Sequence, residues 1–200
     1  MVLEVKPQED EKSSLTYSLQ NFVVKSRLPI KEDLDLSLLR DKLDNTQYDT
    51  SRFPGLFLRF TQPKCVVIIF RNGKLILTGL KSADNIELVL KKLVLNLDKI
   101  EEIQLLKDQI ETEIVNIVVT ADLYRQINLD AAVIKLLNAI YEPEVFPGLI
   151  YNSYSPVKCV FLIFSTGKIV LTGIRKENVI ESVLISLGRL LKEKNLFRRV

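Results

Sequence analysis

Apolar and polar positions in this chain follow two periods, and the periods predict its elements. In "DLDLSLLRDKLDN" (33–45), "NLDAAVIKLLNAI" (128–140), "SADNIELVLKKLVLNL" (82–97) and "KENVIESVLISLGRLL" (176–191) apolar residues recur at the three- and four-residue spacing of a helix face. Asp33 and Asn128 stand where helix N-caps belong. Segments 17–26 and 112–121 are rich in Val, Ile and Tyr and predict strands. So do 55–61, 65–71 and 74–78 and their later counterparts, with "RNGK" and "STGK" as tight hairpin turns whose glycine supplies positive φ. The order strand, helix, three strands, helix predicts an α+β fold.

Several of these strands fail to alternate. An antiparallel strand with one wet face reads apolar, polar, apolar. "VVIIF" and "CVFLIF" are apolar on both sides, and "KLILTG" puts Ile76 opposite Leu75 and Leu77. Four helices cover one face of so many strands. The other face would carry Val23, Ile68, Phe70, Ile76, Val118, Leu162, Phe164 and Val170. Period-two geometry leaves two readings open: an apolar surface waiting for a partner, or a face packed on a second sheet, as in a sandwich.

The pattern occurs twice. "FPGL" stands at Phe53–Leu56 and at Phe146–Leu149, and "IIFRNGKLILTG" (68–79) is echoed by "LIFSTGKIVLTG" (162–173). Gly73, Lys74, Thr78 and Gly79 match Gly167, Lys168, Thr172 and Gly173. Val157 is one extra residue in a turn of the second copy, and "LQNFVV" (19–24) resembles "IVNIVV" (114–119). Preserved blocks with small slips at turns indicate a duplicated domain. The repeats are placed at 15–105 and 106–200, after a tail without regular structure at 1–14.

Composition narrows the chemistry. No apolar stretch approaches the ~20 residues of a membrane helix, and the polar N-terminus carries no signal-peptide core. A soluble, intracellular protein with no membrane contact is expected. The chain has no histidine, which excludes histidine catalysis and histidine-ligated metals. Cys65 and Cys159 make neither a disulfide framework nor a zinc site. Nucleophile–base pairs are lacking, and "STGK" lacks the upstream glycine of a phosphate loop. Neither enzyme activity nor a metal or cofactor is expected. The net charge of +3 is too small for a general nucleic-acid coat but allows a few placed phosphate contacts.

The run N-x-V, then Y-E-P-E-x-F-P-G-L, then I-F-x-x-G-K-x-x-x-T-G, in two versions over about residues 17–195, resembles the TATA-box-binding protein family. The resemblance implies a pseudo-twofold saddle, one curved antiparallel sheet of about ten strands with four helices on the convex side. This family is itself the usual example of minor-groove binding and kinking. It implies a general transcription initiation factor that bends A·T-rich double-stranded DNA. The alternative is an interaction module of the same family that holds other factors with weak DNA binding.

By resemblance, Phe53 with Phe70 and Phe146 with Phe164 are the intercalating pairs. Asn21 and Asn116, with Thr78 and Thr172 beside them, read base edges, and Val23, Ile68, Ile76, Val118, Leu162 and Val170 form the groove floor. Arg52, Arg59, Lys64, Lys74, Lys158 and Lys168 match the phosphate-binding rim. Thr61, Asn152 and Ser155 depart from it, standing where a basic side chain is usual. Glu142, Glu144 and Val145 match the contact for transcription factor IIB. A transcription factor IIA-type protein and other assembly factors are further implied partners. The location implied is the nucleus, or the cytoplasm if the chain is archaeal; the first-half FPG is closer to the archaeal style.

Overall fold

The computed structural model describes residues 2–5, 15–106 and 110–198. They fall into two compact units, Asn21–Val115 (the first unit) and Met1–Gln20 with Asn116–Val200 (the second). Two long strands, β2 (Leu15–Arg27) and β7 (Glu111–Asp122), give residues to both units.

In the first unit β3 (Thr46–Gln47), β4 (Leu56–Thr61), β5 (Lys64–Ile69), β6 (Lys74–Leu80) and β2 follow one another as antiparallel neighbours. α1 (Leu36–Lys42) and α2 (Asp84–Leu97) complete it. The second unit repeats the plan with the order β8 (Ala139–Ile140), β9 (Leu149–Ser153), β10 (Cys159–Ile163), β11 (Lys168–Ile174), β7. Its helices are α3 (Leu129–Lys135) and α4 (Ile180–Glu193). The expected α+β fold is the one found.

Burial alternates along the strands that looked apolar throughout. Leu58, Val67, Ile69, Leu75 and Leu77 are buried, as are Phe161, Ile163, Ile169 and Leu171. The helix stripes Ile86, Val89, Leu93, Leu97 and Ile180, Val183, Leu187, Leu191 are buried as well. Strand residues between the buried ones, such as Val66, Ile68, Ile76, Val160, Leu162 and Val170, are only half-buried. Each unit has a single sheet among the described residues, so the sandwich reading falls away.

Three local expectations are corrected. α1 is capped by Asp35, not Asp33: the Asp35 carboxylate accepts from the backbone N–H of Ser37 at 2.8 Å and of Leu38 at 3.2 Å. Burial of Leu36 and Leu39 sets the start of the helix, and Asp33 instead pairs with Arg71 at 3.2 Å. Asn128 caps α3 as expected, accepting from Ala131 N–H at 3.0 Å. Second, both short helices stop at an extended Leu43 and Leu136, and Asn45 and Asn138 turn the chain at φ 58° and 63°. Asparagine tolerates that left-handed region better than most residues.

The third correction is at the N-terminus. Val2–Val5 form β1, paired antiparallel with β2 from Val2↔Ser18 to Val5↔Leu15, where a tail without structure was expected. Three of its four residues are apolar, two of them β-branched, and they satisfy backbone groups along an otherwise open edge. The rest of the expected tail, Met1 and residues 6–14, lies outside the described residues.

Cys65 and Cys159 are buried core residues, and burial pushes both thiols up to about 11. Neither forms a thiolate at neutral pH. Alkylation of the folded protein at pH 7.5 should therefore be slow for both cysteines and become rapid in denaturant. Rapid native labelling, read by mass spectrometry, would contradict their place in the core. Among the described residues, no helix is long and apolar enough to cross a membrane.

Candidate nucleic-acid interface

Each FPG turn seats a pair of aromatic rings. Phe53 and Phe70 have centroids 5.9 Å apart, and Phe146 and Phe164 have the same separation. The glycine of the turn lies beneath both rings. A Cβ on Gly148 would stand 2.8 Å from Phe146 Cε1 and 3.0 Å from Phe164 Cε1. On Gly55 it would stand 2.8 Å from Phe53 Cε1 and 3.3 Å from Phe70 Cε1. Buried carbons stay roughly 3.5–4.0 Å apart, so only glycine lets the rings lie over the turn. Phe53 is 36 % exposed, and Phe70, Phe146 and Phe164 are half-buried. These aromatics lie outside the core, where Phe22 and Phe161 are packed.

The second constellation is a clamp around an asparagine. Gly79 and Gly173 adopt φ +92° and +87° within β6 and β11, strands expected to end at Thr78 and Thr172. The register slips beside each glycine, as at a β-bulge. The bulge aims the Gly79 N–H at Asn21 Oδ1 (2.6 Å) and the Gly173 N–H at Asn116 Oδ1 (2.8 Å). Each amide Nδ2 lies within hydrogen-bond reach of the neighbouring hydroxyl, Thr78 Oγ1 at 3.2 Å and Thr172 Oγ1 at 3.1 Å. The amide oxygen is thus occupied from behind, and the second Nδ2 proton remains for an outside acceptor.

The half-buried face around each clamp is apolar. In the second unit Leu162 lies opposite Ile150 and Val170, and Val160 opposite Thr172. In the first, Ile68 lies opposite Phe57 and Ile76, and Val66 opposite Thr78. Directly opposed residues share a face, so Phe57, Val66, Ile150 and Val160 join the set. The sequence reading missed them, although counting back two from Ile68 and Leu162 reaches Val66 and Val160. Phe57 also touches Phe53, with centroids 5.2 Å apart. Val23 and Val118 are half-buried beside the asparagines.

The basic rim is unequal. Arg52, Arg59, Lys64 and Lys74 are exposed in the first unit, against Lys158 and Lys168 in the second. Register pairs Arg59 with Val66, while Asn152 takes the equivalent place opposite Val160. Arg52 pairs with Asp49 at 3.3 Å, and Lys74 lies 5.6 Å from the Phe70 ring centroid. Glu142, Glu144 and Val145 are exposed at the turn before Phe146. On α2, Lys91 pairs with Glu87 at 2.6 Å and Lys92 donates to the Gln62 carbonyl at 2.5 Å. Among the described residues no cluster of acidic or sulfur ligands suits a metal ion.

The family model for transcription factor TFIID, or TATA-binding protein, matches residues 16–100 and again 111–194. A TATA-box-binding protein of Pyrobaculum aerophilum is 38% identical over 185 residues, covering 89% of this chain and 87% of its own. One from Methanothermococcus thermolithotrophicus is 40% identical over 177 residues, with 86% and 94% covered. The solved structure of Methanococcus jannaschii TBP superposes with a TM-score of 0.78 at 37% identity, over 88% of this chain and 98% of that one.

Proposed function

The chain belongs to the TATA-binding protein family, and on that footing we propose that it is a general transcription initiation factor that binds A·T-rich promoter DNA through the minor groove and bends it. The observation that carries this is the doubled site: a ring pair outside the core and an asparagine clamp on one open apolar face in each unit.

Each ring pair is suited to enter an opened base step and replace part of the lost stacking, kinking the duplex. Asn21 and Asn116 would donate to adenine N3 and thymine O2. The floor of Val23, Ile68, Ile76, Val118, Leu162 and Val170 has no acceptor for the guanine amino group, so a G·C pair would leave a donor unsatisfied. The exposed cations at 52, 59, 64, 74, 158 and 168 would hold phosphates.

Glu142, Glu144 and Val145 would receive a transcription factor IIB-type protein, and the outer faces of α2 and α4 would serve IIA-type and other assembly factors. The relatives described are archaeal, so the proposed location is the cytoplasm rather than a nucleus. No cofactor or metal enters this mechanism.

A gel-shift titration on a TATA duplex and on a G·C duplex tests the reading. At least tenfold preference for TATA is expected; equal or absent binding to both would leave only a protein-interaction role. Salt dependence gives a second check. With six rim cations, the slope of log K against log salt should not exceed about −5.4, at roughly −0.9 per phosphate. A slope near −9 would place phosphate contacts on residues outside this rim.

A further inference from the structure

The two repeats differ in the segment that runs from the short helix to the FPG turn. Asp35 and Asn128 cap equivalent helices, which sets the correspondence through to Phe53 and Phe146. At equivalent outward positions the first repeat has Asp41, Asp44, Gln47 and Arg52, and the second has Ile134, Leu137, Ile140 and Val145. The second set is exposed: Ile134 84%, Leu137 85%, Ile140 52% and Val145 80%.

Ile134 faces away from the core. Leu129 and Ala132 form the buried side of α3, and two residues along a helix turn the side chain by about 200°. Leu137 follows where the helix has ended. Apolar groups this exposed, at places where the sister repeat keeps charged or polar side chains, have no folding role.

We propose that Ile134 and Leu137 extend the docking surface of the Glu142–Val145 turn, giving the IIB-type partner an apolar anchor beside its acidic contacts; this rests on the IIB reading of that turn. Along the chain these exposed apolar positions are bracketed by acidic ones, with Asp130 one helical turn before Ile134 on the same side of α3 and Glu142 and Glu144 following Ile140. Lys135, between them, is turned toward the end of α4, donating to the Lys194 carbonyl at 3.0 Å. The complementary surface is one or two apolar side chains ringed by Lys or Arg. A second copy of this chain fits poorly, because a twofold contact would set the acidic positions against each other. Two side chains also fall far short of the roughly 1,200 Å² that a stable interface buries, so the patch adds to the acidic turn rather than acting alone.

The test transplants the first repeat's residues, Ile134→Asp with Leu137→Asp. The purified IIB-type factor of the organism encoding this chain is titrated onto the protein bound to a TATA duplex. The double variant should keep its melting temperature and binary DNA affinity and bind the factor at least tenfold more weakly. Glu142→Arg is measured alongside. If Glu142→Arg weakens the ternary complex and the double variant does not, the anchor is wrong and the IIB reading stands. If neither weakens it, the IIB reading of the turn fails, and the anchor with it. A wild-type dimer in sedimentation velocity that the double variant abolishes would assign the patch to self-association and overturn the proposal.

Discussion

Gly148→Ala should leave a folded protein that no longer bends one end of a TATA duplex. The new methyl would lie 2.8 Å from Phe146 Cε1, 3.2 Å from Phe146 Cζ and 3.0 Å from Phe164 Cε1. To restore ordinary contact the rings must retreat by about 1 Å. They can do so, because both are half-buried and neither is a core anchor. Free-protein stability should fall by no more than ~1–3 kcal/mol, the ordinary cost of overpacking. Holding the rings in place for a base step would meet the same strain, so affinity should drop by about tenfold to a hundredfold.

Gly55→Ala should be harsher on the fold. Its methyl also meets Ile68 Cγ2 at 2.8 Å, and a β-branched strand residue has little freedom to turn. Melting of the free protein and energy transfer across a doubly labelled TATA duplex separate the two effects. An unchanged bend in both variants would mean that the ring pairs do not set the DNA geometry. A collapsed melt for Gly148→Ala would make those rings core after all.

How much of this was legible in the sequence depended on range. The duplication, the helix stripes and the second apolar face were readable because each is a repeat or a period, and Ile68 with Phe70 or Ile76 with Thr78 needs only alternate spacing; that this face is open rather than packed on another sheet was not. Contacts that close through space were not readable. "FPGL" stood out as a repeated block, but that its glycine lies under Phe164, 16 positions along the chain, needs the fold. "TG" looked like a strand end because a glycine at positive φ usually stops a strand. Here the backbone carries on through the bulge, and the displaced N–H serves Asn21 or Asn116. Asp33 and Asp35 compete for one cap, and only burial of Leu36 decides between them. β1 was missed because four residues carry too little pattern beside the polar run that follows.

The asparagine clamp should show the largest single-atom effect. Asn116→Asp replaces one NH₂ by an oxygen and changes little else. In the free protein one carboxylate oxygen would still accept the Gly173 N–H, now as a charge-assisted bond, so the fold and its bulge should hold. The other oxygen would occupy the place of the outward donor. Against a groove floor that presents acceptors at every A·T pair, a donor is lost and a carboxylate is brought to face lone pairs. An unsatisfied buried acceptor costs ~1–3 kcal/mol and a charged one more, so binding should weaken by more than about a hundredfold. Asn116→Ala removes the donor without adding charge and should lose less. Asn21→Asp should behave as Asn116→Asp does, because its amide is held in the same way, with 2.6 Å to Gly79 N–H. The sign of the pH dependence follows. Once protonated, the carboxyl introduced by Asn116→Asp regains a donor, so the variant's defect should shrink as pH falls through its carboxyl pKa, while the wild-type asparagine has no proton to gain. Fluorescence anisotropy on a TATA duplex between pH 5 and pH 8 measures both. An aspartate variant within tenfold of wild type at pH 8 would show that this amide does not face the bases.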